Sequence, residues 1–113
     1  MNRSDLDRLR DARDFAQHAQ HNAGGLSADV LAGAPQPLHA ALYDLVVIGE
    51  TLNKVSAEVK NAAPDLAWRP ITNLRNAYWQ VDLEIIAHVI ENRLDPLLSE
   101  LNKLISVVER MDK

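Results

Sequence analysis

Apolar side chains recur at every third or fourth position along most of this chain, and no segment shows sustained alternation of apolar and polar residues. The first stripe is carried by Leu6, Leu9, Phe15 and Ala19. Because this spacing places side chains on one face of an α-helix, it predicts an all-α fold, an antiparallel bundle of four or five helices. At 113 residues, the chain is predicted to form one helical domain over residues 1–113.

Capping residues and glycines predict the ends of the first helices. Ser4 is a candidate N-cap for the first helix, which we expect to run to about His21. Gly24 and Gly25 follow and should stop it, since glycine readily adopts the backbone conformations that end helices. Residues 27–31 are predicted to form a short capped turn.

Prolines and a second set of caps divide the rest of the chain. Pro37 suits the first turn of a long second helix from about residue 38 to residue 62. A shorter third helix is predicted over about residues 68–75. Asp82 is a candidate cap for a fourth helix, which the Asp95–Pro96 pair should either kink or restart.

Composition limits the class of protein. The net charge is −4 and the pI about 5.5, which argues against a surface covered in basic residues for non-specific nucleic-acid binding. Cysteine is absent, so disulfides and thiolate sites are excluded. The N-terminus is charged rather than apolar, and the longest apolar run, residues 45–48, is far too short to span a membrane. We therefore expect a cytoplasmic protein.

The segment from Leu74 to Asp82 concentrates unusual chemistry in a chain with only 4% aromatic residues. Arg75 offers a planar cation suited to phosphate, and Asn76 and Tyr78 add neutral hydrogen-bonding groups. This segment contains no evident general base. Arg75 has a structural alternative, in which it ends a helix and pairs with a carbonyl group or with Glu50.

Glu50 and the histidines each allow two interpretations. Glu50 is either an exposed edge of its helix or an inward carboxylate that faces Arg75. His18 and His21 lie one helical turn apart, a possible metal-ligand spacing, but no acidic residue accompanies them at matching spacing. We therefore predict no metal site and no cofactor. All four histidines, which include His39 and His88, are better explained as ordinary surface or satisfied interior residues, and Trp68 and Trp79 as core or interface residues.

The order and spacing of several segments resemble one known family. They are Ile48-Gly49-Glu50, Pro64 to Ile71, Leu74-Arg75-Asn76 and Tyr78 to Asp82. This succession is similar to the HepT-like toxin family of the HEPN superfamily (domain of unknown function 86), and the resemblance extends from about Asp5 to the C-terminus.

The resemblance implies a helical toxin of a prokaryotic toxin–antitoxin pair. Members are metal-independent ribonucleases that form homodimers, in which two arginine–histidine motifs face a shared cleft. The arginine holds the scissile phosphate and the histidine moves a proton from the ribose 2′-hydroxyl group. The antitoxin has a nucleotidyltransferase fold, and in some systems it adds adenylate groups to a tyrosine just after the motif. On this chain the resemblance implies Arg75 and Asn76 as catalytic residues, Tyr78 as the modified residue and Glu50 as a possible supporting residue.

The chain departs from the family motif at one place. The family pattern is arginine, asparagine, three variable residues, histidine, one variable residue and tyrosine, whereas here Asn76 is followed at once by Ala77 and Tyr78. Four residues are missing, and the last of them is the histidine. His88 lies ten positions beyond Tyr78 and is no substitute. We interpret the chain as a shortened form, natural or engineered, that lacks ribonuclease activity; the alternative is a divergent relative that never cleaved RNA.

Two further hypotheses stay open from the sequence. In the first, the bundle is a non-enzymatic module that only dimerises or binds a partner protein. In the second, Arg75, Tyr78 and Trp79 hold the phosphate and base of a nucleotide.

Overall fold

The computed structural model describes residues 3–64, 66, 68–74, 76 and 83–111. These residues form α-helices with no strand among them, so the predicted all-α class is confirmed. The helices are α1 (Arg3–Ala23), α2 (Ala28–Ala32), α3 (Pro35–Asn53), α4 (Ala57–Ala62), α5 (Trp68–Thr72) and α6 (Leu83–Met111).

Side-chain contacts establish how the three long helices run. Near its start, α1 reaches the end of α3, where the Arg8 guanidinium donates to the Lys54 carbonyl at 2.9 Å. Near its end, Asn22 reaches Asp44 in the middle of α3. Along α6 the order is also reversed, since Arg10 pairs with Glu109 and Gln20 donates to Asp95. The helix α1 is therefore antiparallel to both α3 and α6.

The core is aliphatic and is shared by these helices. Its largest fully buried members are Leu9, Leu31, Leu38, Leu45, Ile48, Leu52, Leu94, Leu101, Val59 and Val108. Small side chains on α1, such as Ala12, Ala16 and Ala19, are also buried, which allows the backbone of α1 to approach its neighbours closely. The stripe that the sequence predicted for the first helix thus faces the core, except that Phe15 is only half-buried.

Some of the predicted helix ends agree with the structure and others do not. Gly24 and Gly25 adopt φ values of 61° and 72°, so they end α1 as predicted. Ser27 caps α2 by accepting a hydrogen bond from the Val30 amide. Ser4 is not an N-cap, because α1 already begins at Arg3; helix starts commonly differ by one or two residues from a sequence estimate.

The prediction of one long helix over residues 38–62 is wrong. The observed helix α3 starts earlier, at Pro35, and ends at Asn53, and the separate helix α4 follows it. Ser56 caps α4, and its backbone amide donates to the Asp5 carboxylate at 3.1 Å. This buried carboxylate supplies an acceptor at the break, and no local pattern around residues 54–56 indicates that contact.

The remaining helices also differ from their predicted bounds. The third predicted helix is shorter than expected, since α5 ends at Thr72 and gives way to a 3₁₀ turn. Pro96 does not restart a helix, because α6 continues through it for a total of 29 residues. Asp82, the candidate cap of this helix, lies outside the described residues.

Candidate functional site

The predicted catalytic segment is described only in part. Asn76 has 3₁₀ geometry, as Asn73 and Leu74 do after α5, and it is exposed. Arg75, Tyr78 and Trp79 lie outside the described residues, so their predicted roles stay predictions. The structure therefore describes the approach to the segment through Leu74 and its continuation in α6.

Glu50 lies on α3 with an exposed side chain, although its neighbour Gly49 is buried. This agrees with the interpretation of Glu50 as an exposed edge of the helix, and an inward orientation is wrong for the single chain. Its supporting role for Arg75 stays a prediction.

Residues next to the predicted segment line an apolar groove. Ile71 and Leu74, which precede Arg75 in sequence, face Val89 and Leu97 of α6 across a groove of about 530 Å³. Leu45, Leu66, Leu94 and Pro96 complete its apolar lining. Among the described lining residues there is no histidine, serine or cysteine, so this groove offers an apolar contact surface and no nucleophile or histidine base.

Two charged residues of α6, Arg93 and Glu100, also line this groove. A second, smaller groove of about 230 Å³ continues from it, since both are lined by Leu66 and Glu100. Sequence reasoning missed this surface. The sequence pattern that could have indicated it is the spacing of apolar residues along one side of α6. A groove can be recognised only when the packing of α5 against α3 is known.

The four histidines do not gather at this groove. His18, His21, His39 and His88 are all exposed, and His18 makes an edge-to-face contact with Phe15 at 5.4 Å between ring centroids. No group of three or more potential metal-binding side chains was found in the described part of the chain. The histidines are therefore surface residues, as the sequence indicated.

Trp68 has a structural role. Its indole Nε1 donates to the Ala63 carbonyl at 2.9 Å, and the Lys60 ammonium lies 5.9 Å from the ring centroid. The side chain is half-buried against the core. This placement agrees with the predicted packing role and joins α4 to the start of α5.

Asp44 is a buried carboxyl group that the sequence analysis did not single out. It is 3% exposed, and Asn22 donates to its Oδ2 at 2.7 Å. Burial raises the pKa of Asp44 above its ordinary value, while the Asn22 hydrogen bond and the charge of His18 act in the opposite direction. The available signal was an acidic residue inside the apolar run from Ala41 to Ile48.

The family model described as Ribonuclease HepT-like matches residues 6–104 of this chain. The chain belongs to the HepT-like ribonuclease family. The match spans the helices from α1 into the last third of α6, and it includes Asn76 and the groove. Comparisons with curated proteins and with solved structures find no match. None of the helices in the described part of this HepT-like chain combines the length and apolar character that crossing a membrane requires.

Proposed function

We propose that this HepT-like chain is the toxin scaffold of a prokaryotic toxin–antitoxin pair. The family activity is metal-independent cleavage of RNA at a cleft between two copies, and this chain is catalytically defective because the motif histidine is missing. The family match over residues 6–104 carries the proposal. The order Arg75-Asn76-Ala77-Tyr78 supports the specific defect, since it retains the arginine, the asparagine and the tyrosine of the motif but not the histidine.

The proposed chemistry explains why the loss of the motif histidine is decisive. In this cleavage the ribose 2′-hydroxyl gives its proton to a base and its oxygen attacks the adjacent phosphorus. A 2′,3′-cyclic phosphate forms as the bond to the 5′-oxygen breaks, the 5′-oxygen takes up a proton, and the charge on the phosphate must be stabilised. Arg75 would supply the stabilising cation. A positioned general base typically contributes about 10²- to 10⁴-fold to the rate, so a chain that lacks the base should retain phosphate binding but little cleavage.

The proposal includes the partners that the family implies. A second copy of this chain forms the other side of the cleft, within the cytoplasm. A cognate nucleotidyltransferase-fold antitoxin binds the dimer and transfers adenylate from ATP to the Tyr78 hydroxyl group, which loses its proton as pyrophosphate is released. RNA is the substrate class. The chain acts as one domain and uses no cofactor of its own.

Restoration of the motif tests this proposal. Inserting three variable residues and a histidine between Asn76 and Ala77 should create a growth-inhibiting ribonuclease, because it returns a proton acceptor to the motif. The same insertion combined with Arg75→Ala is the matched control and should be inactive. Cleavage of labelled RNA in the presence of a chelator measures the activity. Equal inactivity of the restored protein and its Arg75→Ala control would contradict the ribonuclease assignment.

Modification of Tyr78 tests the partner separately. After co-expression with a neighbouring nucleotidyltransferase, intact-mass and peptide spectra should show added adenylate on Tyr78. The Tyr78→Phe variant, which lacks the accepting hydroxyl group, should stay unmodified. Adenylate found elsewhere, or none at all, contradicts this part of the proposal.

A non-enzymatic interaction module is the second candidate function. It is favoured by the groove itself, whose described lining is apolar apart from Arg93 and Glu100 and contains neither histidine nor serine. Under this alternative, the protein with a restored histidine should still dimerise but should neither bind nor cleave RNA.

A further inference from the structure

One flank of α6 combines apolar residues with charges of both signs. Its members are Ile85, Val89, Arg93, Pro96, Glu100, Lys103 and Val107, and we call this set the flank stripe. Successive members are three or four residues apart, so they follow one side of the helix. Each is exposed or half-buried. The stripe covers 22 residue steps, or about 33 Å at the rise of an α-helix.

The rest of the exposed surface of α6 is different in character. Its exposed positions outside the stripe, from Glu84 to Arg110, are polar: Glu84, His88, Glu91, Asn92, Asp95, Ser99, Asn102, Ser106, Glu109 and Arg110. This polar face also reaches α1, through the contacts of Asp95 with Gln20 and Glu109 with Arg10. Apart from the half-buried Leu98, apolar exposure on the body of α6 is therefore concentrated on the flank away from α1, where the two grooves lie.

We propose that the flank stripe binds the flank stripe of a second copy of this chain in an antiparallel, two-fold symmetric arrangement centred on Pro96. The inference rests on the proposed function in one respect, since it specifies which surface builds the dimer of the proposed cleft. An isologous interface must be complementary to itself, and the order of residues along the stripe meets this condition.

The pairing follows from the spacing of the stripe about its centre. With Pro96 beside its counterpart, Arg93 of each copy lies beside Glu100 of the other. Further from the centre, Val89 meets the aliphatic stem of Lys103, and Ile85 meets Val107. A parallel arrangement would instead place Arg93 beside Arg93 and Glu100 beside Glu100. Opposite charges across an interface favour the correct register and like charges disfavour the wrong one, so the charges select the antiparallel pairing.

The isolated chain leaves these charges available. Arg93 makes no ion pair or hydrogen bond with the other described residues. Glu100 is paired with Lys103 at 3.5 Å, on side chains that are 50% and 72% exposed respectively. An exposed pair of this kind is weak, so Glu100 can accept Arg93 of a second copy beside its own Lys103.

The location connects this surface with the predicted motif. Leu74 lines the groove beside Val89 and Arg93, and it is the residue before Arg75 in sequence. A second copy that covers the groove therefore contacts both chains immediately before their motifs. The apolar lining from Ile71 and Leu74 would be removed from water in the same step.

Charge reversal tests the pairing. Sedimentation velocity should show a dimer for the unmodified chain at about 100 μM, where a dimer with a micromolar dissociation constant is formed. Arg93→Glu and Glu100→Arg should each weaken self-association at least about tenfold, because each places like charges together at two symmetric positions. The doubly substituted chain should recover, and so should an equimolar mixture of the two single variants. Asp11→Arg on the exposed side of α1 is the matched control and should leave the dimer intact.

Single cysteines test the direction, since the natural chain has none. A chain with both Ile85→Cys and Val107→Cys should form disulfide-linked dimers on oxidation, while each single variant should not. The two positions are about 33 Å apart within one helix, so they cannot bond within one chain. Pro96→Cys should also cross-link, and Ser99→Cys on the polar face should not.

Several outcomes would overturn the inference. They are a monomeric unmodified chain, single charge variants that dimerise normally, a mixture that does not recover, or cross-linking of the Ile85→Cys variant to itself. A monomeric chain would also contradict the two-copy cleft of the proposed function, whereas a dimer that ignores the charge and cysteine variants would overturn only this interface. A restored protein that is inactive but follows the charge-reversal pattern would contradict the proposed function and support this interface.

Discussion

Asp44 carries a buried carboxyl group whose pKa is raised in the folded protein. It lies between α1 and α3, with Asn22 as its hydrogen-bond donor and His18 nearby. Loss of water around the carboxylate is the largest effect on its pKa, and it raises the pKa above the ordinary value of 3.8. The folded protein therefore binds this proton more tightly than the unfolded chain does.

The raised pKa of Asp44 determines a pH dependence of stability. The contribution of Asp44 to the free energy of unfolding is complete below pH 3.8 and decreases as the pH rises through the raised value. Asp44→Asn abolishes this titration and keeps an oxygen that can accept from Asn22. We expect the stability difference between the variant and the natural chain to shift in favour of the variant as the pH is raised from acid to neutral. Urea unfolding at each pH measures the two free energies of unfolding.

Asp11→Asn provides the control for that comparison, because it removes one negative charge from an exposed position of α1. If the variant instead loses stability relative to the natural chain as the pH rises, the Asn22 hydrogen bond and the His18 charge outweigh the effect of burial on the Asp44 pKa.

At the scale of elements, the break between α3 and α4 depends on a contact with α1. Asp5 is 2% exposed, and its Oδ1 accepts from the Ser56 amide. The Ser56 hydroxyl in turn caps α4 at the Val59 amide. The break was missed because residues 38–62 have continuous helical spacing and the acceptor comes from a residue 51 positions away in sequence.

Asp5→Ala should destabilise the protein by about 1–3 kcal/mol, because it leaves the partly buried Ser56 amide without its acceptor. Chemical unfolding of the variant measures this cost. Asp7→Ala in the same turn of α1 is the matched control, since Asp7 is exposed, and its effect should stay within about 0.5 kcal/mol. Equal costs for the two variants would show that the Ser56 contact contributes nothing and that only charge near the helix start matters.

At the scale of the whole molecule, the bundle is elongated, with extents of 46 × 24 × 21 Å. The flank stripe follows α6, and the proposed dimer joins two such bundles side by side. If two motifs are needed for one cleft, the activity of the protein with a restored histidine depends on dimer formation.

The specific activity of that restored protein should therefore rise with protein concentration and reach a plateau when the dimer is complete. Adding Glu100→Arg should move the midpoint to at least about tenfold higher concentration, because it weakens the same association. RNA cleavage across a dilution series measures this, with Asp11→Arg as the control. Specific activity that is constant over the whole series in both proteins would contradict a catalytic role for the second copy.

The sequence by itself determined the all-α class, the stop of α1 at Gly24 and Gly25, the cap at Ser27 and the resemblance to the HepT-like family. These features depend on local spacing, backbone conformation and the order of residues along the chain, which the sequence contains directly. Only the tertiary structure decided the break before Ser56, the burial of Asp44 and the groove beside Leu74. Each of these depends on contacts between residues far apart in sequence, and no local pattern specifies which distant side chain will supply the hydrogen bond, remove the water or form the opposite wall.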